Sequence, residues 1–264
     1  MLNILVILQK TQCHLNIQPA IINTSKATII AQLQKEIQPL QGYKSACNHA
    51  VPDIGLGPIK NAFPNSEFPL AAVHEFIATA PEEAAATGGF VAGVLSALMR
   101  KGGATVWLSA NRTIFPPALV TFGIAPDKII FIDLKKEKEI LWAMEEALKC
   151  DGLAAVVGEM PDLSFMASRR LQLAVEKSRV TGFILRQNFR GLNTNACVTR
   201  WKITPLASQL AAGMPGVGFP RWRVELLKVR NGKPGNWQVE WAAGRFRHLA
   251  AISLIVQEQH KKTG

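Results

Sequence analysis

Apolar and polar positions along this chain fall into blocks whose period changes twice. Residues 26–40 place Ile29, Ile30, Leu33, Ile37 and Leu40 at helical spacing, with Pro39 near the end, and so predict a short amphipathic helix. Residues 41–66 are rich in Gly, Pro and Asn and read as an irregular connection. Short apolar runs then alternate with helical patterns. Strands are predicted over 73–77, 104–109, 128–134, 153–157 and 180–185. Helices are predicted over 87–99, 138–149 and 164–178, and Pro116 and Pro117 open a further short one. Within 138–149 the spacing turns Ile140, Leu141, Met144 and Leu148 inward. Strands that are apolar throughout and separated by helices imply a largely parallel sheet covered on both faces.

Near residue 190 the period shortens to two. Residues 196–203, 221–229 and 237–241 read as strands joined by turns, the plainest being Asn231-Gly232-Lys233-Pro234-Gly235. The whole is an α/β chain whose parallel sheet gains an antiparallel C-terminal extension. Alternation puts Trp222 on one face of its strand and Arg221 and Arg223 on the other.

Composition narrows the class. With 264 residues, 48% apolar and 19% charged, the chain excludes collagen, wholesale disorder and simple repeats. Net charge is +11 and unevenly placed: residues 1–150 hold 13 basic and 12 acidic side chains, residues 151–264 hold 17 and 7. Such a one-sided surplus suggests a polyanion or an acidic protein surface as partner, or a plain solvated basic face. Cys13, Cys47, Cys150 and Cys197 lie far apart without a CxxC pair, which argues against a zinc site and a disulfide framework. The apolar run from Ile4 to Leu8 ends at Gln9 and Lys10, too short for a signal-peptide core, and the apolar stretch from Gly88 to Met99 is too short to span a bilayer. A cytoplasmic protein without a membrane anchor is expected. Its expected organisation is a loose leader (1–25), an amphipathic helix with its connection (26–66), a core domain (67–250) and a tail (251–264).

Candidate chemistry is sparse. His74-Glu75 has Ala78 where a zinc protease motif needs its second His, and the five histidines show no ligand spacing. No G-x-S-x-G elbow occurs. The strand at 73–77 does lead through a loop into a helix, where a phosphate-binding loop belongs. That segment reads Ala78-Thr79-Ala80-Pro81-Glu82-Glu83-Ala84-Ala85-Ala86-Thr87-Gly88-Gly89. It lacks the lysine, three alanines fill the bend, and Glu82 and Glu83 would set negative charge beside a triphosphate.

Residues 56–247 resemble the RecA/RadA superfamily core, most closely the ImuA family, whose members accompany an error-prone polymerase in bacterial mutagenesis cassettes. The resemblance rests on Phe68-Pro69-Leu70-Ala71-Ala72-Val73-His74-Glu75-Phe76, on Phe115-Pro116-Pro117-Ala118-Leu119 and Phe122-Gly123-Ile124, and on Leu141-Trp142-Ala143-Met144-Glu145. Ser168-Arg169-Arg170-Leu171-Gln172-Leu173-Ala174 adds to it. It implies a RecA-like three-layer core. It also implies that Pro81 and Glu82 match the Pro-Glu of the RecA phosphate loop, Ala86 its lysine and Thr87 its metal-binding hydroxyl. The metal aspartate of catalytic relatives is replaced by Gly158-Glu159, and their catalytic glutamate by Ala110-Asn111-Arg112. Losing all three removes the charge neutralisation that phosphoryl transfer needs, so no ATPase activity and no cofactor are expected.

The two DNA loops of RecA are trimmed in the same comparison. Arg186, Phe189 and Arg190 remain as groups able to meet phosphate and bases, or as an ordinary surface loop. Arg221, Trp222, Arg223, Arg230, Lys233, Arg245 and Arg247 form a basic, aromatic C-terminal set. It is open to three readings: core tryptophans with solvated arginines, a protein interface, or direct DNA contact. The resemblance implies an accessory role in error-prone translesion synthesis after DNA damage. The chain would dock on the inactive Y-family polymerase-like partner (ImuB) within the error-prone replicative-type polymerase assembly, with RecA as a further contact. The alternatives are a residual ATP-dependent DNA-binding motor, with Glu159 on the metal, and a cell-division inhibitor of the SulA type.

Overall fold

In a computed structural model the described residues are 53–111, 114–187, 191–210 and 216–249, with Thr28, Gln32 and Leu33. The leader 1–25 and the tail 251–264 lie outside them. Of the predicted helix 26–40 only those three residues are described, and all three are helical.

Nine strands form one sheet: β1 (Val73–Ala78), β2 (Ala104–Ser109), β3 (Ile129–Asp133), β4 (Leu153–Glu159), β5 (Thr181–Gln187), β6 (Thr199–Leu206), β7 (Arg221–Val229), β8 (Gly235–Ala242) and β9 (Arg245–Leu249). Their spatial order is β3-β2-β4-β5-β1-β6-β7-β8-β9. Neighbours from β3 to β6 pair in parallel and those from β6 to β9 antiparallel. The two predicted halves of the pattern are therefore one sheet that changes direction at β6. Every residue of β1 is buried because helices cover both of its faces, whereas β7 alternates between buried and open positions because only one face is covered.

One helix, α1 (Pro81–Met99), lies on one face; α2 (Glu137–Ala147) and α3 (Phe165–Ser178) lie on the other. Under α1 the core is aromatic: Phe76, Phe90, Phe183, Trp201, Trp222, Trp241 and Phe246 interlock there. The ring pairs sit at offset or edge-on angles, the arrangement that the charge distribution of aromatic faces favours. A Cβ at Gly93 would stand 2.6 Å from Phe246 Cζ and 2.9 Å from Trp241 Cζ3, so only a residue without a side chain lets α1 approach these rings. Under α2 and α3 the core is aliphatic, built on Ile140, Met144, Leu148, Leu171 and Val175 against Val156 and Ile184.

Three elements differ from the sequence pattern. The connection before β1 is not loose: 3-10 turns over Gly57–Ala62 and Pro64–Ser66 bury Ile59, Ala62 and Phe63 in the aromatic core. Helix α1 begins at Pro81, six residues before the predicted start. A strand that the pattern does not predict, β9, begins at Arg245 and has Arg247 at its middle. No helix among the described residues is long and apolar enough to cross a membrane.

Candidate functional site

The carboxyl end of β1 feeds directly into α1. Pro81 occupies the first helical position, where its missing N–H costs nothing, and Ala84 N already donates to Ala80 O at 3.0 Å. Glu83 reaches back one turn. Its Oε2 accepts from Thr79 N at 2.8 Å and from Thr79 Oγ1 at 2.6 Å, and its Oε1 lies 3.0 Å from Lys202 Nζ. Burial pushes the Glu83 carboxyl up, but the Thr79 hydroxyl and amide and the Lys202 ammonium outweigh it and hold the group below the usual carboxylate range.

A phosphate loop works by leaving successive backbone N–H groups unpaired and pointed inward. Here residues 81–87 are helix, because alanines in place of glycines favour the helical backbone. Ala86 and Thr87 consequently stand in the second turn of α1. Thr87 is buried and its hydroxyl has no hydrogen-bond partner. The bend expected over 78–89 is reduced to Thr79 and Ala80, and the protein's own carboxylate caps it.

Beside this helix lies a cavity of about 780 Å³, walled by the Pro81–Gly89 flank of α1 and by Trp107, Phe122, Glu159, Gln187, Pro205 and Trp222. It is predominantly apolar. Glu159, at the end of β4, is buried and accepts from Trp107 Nε1 at 2.7 Å. Glu82 lines the cavity as well. Among the described residues no group of three His, Cys, Asp or Glu is placed to hold a metal ion.

Arg186, expected from the sequence as a surface contact, is only 1% exposed. Its Nη1 lies 2.7 Å from Glu75 Oε1 and 3.2 Å from Asn193 Oδ1; its Nη2 lies 3.2 Å from Asp162 Oδ1 and from Gly191 O; and its Nε donates to Pro161 O at 3.0 Å. Arg200 shares the cluster, its Nε 2.5 Å from Glu75 Oε2 and its Nη2 2.6 Å from Asn193 O. One guanidinium thus ties residues 161–162 to residues 191–193. Arg186 is thus buried among its own partners and is not the surface group expected from the sequence. Phe189 and Arg190 lie outside the described residues. Sequence reasoning missed Glu75 as the centre of this cluster, although a lone acid inside an apolar strand was its visible signal.

The basic C-terminal residues divide. Trp222 is core, and its indole reaches the cavity wall. Arg221, Arg223, Arg245 and Arg247 share the sheet face opposite α1, since their neighbours Trp222, Trp241 and Phe246 point towards it. Glu240 is in register with Arg221 on one side and Arg247 on the other, and Arg221 Nε binds its Oε1 at 2.8 Å. Arg230 and Lys233 stand in the β7–β8 turn, where Arg230 Nη2 donates to Ala196 O at 2.9 Å and the Lys233 amide to Ala62 O at 2.9 Å. Arg230 is therefore bound to the protein's own backbone.

Strand order, crossover helices and an antiparallel extension define a RecA-like α/β core. The crystal structure of the RadB recombinase matches it with a TM-score of 0.52 at 11% identity, covering 75% of this chain and 99% of that one. This shows the fold. The family follows from sequence: Protein ImuA of Caulobacter vibrioides strain NA1000 is 36% identical over 191 residues, 68% of this chain and 78% of its own, and ImuA of strain ATCC 19089 matches equally. The chain belongs to the ImuA family. The cell division inhibitor SulA of Photorhabdus laumondii is 32% identical over 97 residues, 35% of this chain and 55% of its own. No family model matches.

Proposed function

We propose that this protein is a non-catalytic accessory factor of error-prone translesion synthesis in the DNA-damage response. It would act in the cytoplasm as an adaptor that docks on an inactive Y-family polymerase-like partner, with RecA as a second contact. Membership of the ImuA family supports the setting. The observation that carries the non-catalytic part is the helical winding of residues 81–87, with Glu83 already occupying the Thr79 amide. A triphosphate brought there meets carboxylates and spent N–H groups in place of a cradle. The exposed arginines opposite α1 supply the adaptor's charge, and their sheet face carries no described helix.

Two measurements test this. Titration with a fluorescent ATP analogue is expected to show no saturable binding, and Ala86→Lys is expected not to create it, because position 86 stands in a helix. Saturable micromolar binding by the native protein would instead favour the ATP-dependent motor. In a pull-down with the purified Y-family partner, reversing Arg223, Arg245 and Arg247 to Glu is expected to weaken capture at least about tenfold. Undiminished capture would remove this face from the proposal.

A further inference from the structure

The cavity beside α1 draws its lining from three stretches of sequence that contain no Asp, Glu, Lys, Arg or His: 84–99, 113–126 and 203–220. The first supplies Ala85 and Gly89 from α1, the second Phe115 and Ala118 at the 3-10 segment Pro116–Phe122, and the third Pro205 and Gly218. Its mouth is apolar and open to solvent. Phe115 is 68% exposed, and Val217 at 94% and Phe219 at 55% flank Gly218. Single exposed apolar residues are ordinary, but several of them gathered around an apolar hollow have the composition of a recognition surface, depleted of charge and rich in aromatic rings. The hollow opens where Glu159, Gln187 and Leu206 end β4, β5 and β6, at the carboxyl edge on which open α/β sheets place their ligands.

The chemistry of the walls selects the occupant. Among the described lining residues the charged ones are Glu82, Glu159 and Arg221, and Arg221 already has its Nε 2.8 Å from Glu240 Oε1. Beside Glu82, Glu83 and Lys202 are paired with each other at 3.0 Å. The one cation of this lining is therefore engaged, which leaves little to attract a phosphate. A volume of about 780 Å³ is large enough for more than one big side chain. A small molecule held inside would leave Val217 and Phe219 in water, whereas a chain segment that inserts side chains and lays its backbone across the mouth covers them. A second copy of this chain is disfavoured as that segment, because copies carrying +11 repel one another. Trp and Tyr suit the hollow: the ring fills apolar space and its N–H or O–H can meet a wall carboxylate.

We infer that the cavity beside α1 is an anchor pocket for a partner protein, which seats Trp or Tyr side chains of an uncharged, apolar segment in the hollow and packs that segment's neighbours on Phe115, Val217 and Phe219. The site lies on the other face of the sheet from Arg223, Arg245 and Arg247, and it stands whether or not the adaptor reading holds.

The test uses the full chain and random peptides of about 12 residues displayed on phage, long enough to carry an anchor and cover the mouth. Selection is expected to enrich uncharged sequences with Trp or Tyr among apolar residues. A labelled synthetic copy of an enriched peptide should lose at least about tenfold in affinity, by fluorescence anisotropy, against Ala85→Phe, which fills the hollow, and against Phe115→Ser, which strips its mouth. Both positions are exposed, so the melting temperature of each variant should stay at the native value. Arg223→Glu, on the opposite face, should leave the affinity unchanged. Because burial rather than charge holds the peptide, its affinity should change less than about threefold between roughly 50 and 500 mM salt. Four outcomes overturn the inference: no enrichment, enriched peptides indifferent to both variants, binding by charged peptides that salt abolishes, or a native protein that sediments as a dimer and becomes a monomer in the same two variants.

Discussion

Arg186 and Glu75 form a salt bridge of 2.7 Å with both side chains fully buried, and Arg200 closes on the same carboxylate from the neighbouring strand. A buried cation is tolerated only with its counter-charge and a complete set of acceptors. Arg186 has both, drawn from β1 and from two loops that follow different strands. The cluster therefore adds an electrostatic tie between the loop ends and the sheet to the apolar anchoring that Met160, Leu163 and Cys197 provide.

Removing the shared carboxylate strands two cations. Glu75→Gln keeps the shape and loses the charge, and it is expected to destabilise the fold by about 3–5 kcal/mol, read from urea denaturation. Asp162→Asn, whose carboxylate is far more exposed, should cost less than about 1 kcal/mol in the same assay.

His74 sets a pH dependence. It is stacked between Phe68 and Phe183, Nε2 donates to Pro69 O at 2.8 Å, and Nδ1 lies 2.7 Å from Thr199 Oγ1. Burial pushes its pKa down to about 3, against 6.5 for an unconstrained imidazole. The unfolded chain thus binds one more proton than the native one between these values. Stability from this group is complete above pH 6.5 and falls as pH drops towards 3, with a slope of at most about 1.4 kcal/mol per pH unit. His74→Gln should flatten stability against pH across this window, whatever its effect at pH 7.

Two glycines of α1 should respond in opposite directions to the same change. At Gly88 the nearest atom to a new Cβ is Ile114 Cδ1 at 4.0 Å, so Gly88→Ala should stabilise the helix by about 0.5–1 kcal/mol. At Gly93 the new Cβ meets Phe246 and Trp241, two rings held by their own packing. Gly93→Ala should therefore cost about 1–3 kcal/mol despite the better helix propensity, as thermal melts of the pair would show.

Thiol labelling should separate two cysteines. Cys197 is buried and its thiol is pushed up to about 12, chiefly by burial and then by the Glu75 charge, so little thiolate forms. Cys150 is exposed. Iodoacetamide followed by peptide mapping should modify Cys150 in the native protein and Cys197 only after unfolding.

The legible parts of this fold are those whose burial is two-sided. Val73–Ala78 and Leu153–Glu159 read as strands because both of their faces meet helices, so apolar residues run on without alternation. The predicted helix starts at residue 87, where its apolar pattern begins, whereas the alanines before it follow their intrinsic preference and wind from Pro81. Strand β9 has no clear sequence signal because it turns little besides Phe246 inward, between two exposed arginines. The fate of Arg186 is not readable at all. Its partners Glu75, Asp162 and Asn193 lie 111, 24 and 7 residues away, so only the assembled sheet reveals that they converge.

The position of Trp222 gives the cavity a built-in optical probe. Its indole forms part of the cavity wall and also packs among Phe90, Phe122 and Phe246, so the emission of this one chromophore depends on solvent in the cavity and on the packing of the hairpins beneath α1. Any molecule that displaces water there should shift the emission to shorter wavelength. Comparing the native protein with Trp222→Phe would isolate that signal, so screening for occupants of the space beside α1 needs neither a dye nor a labelled ligand.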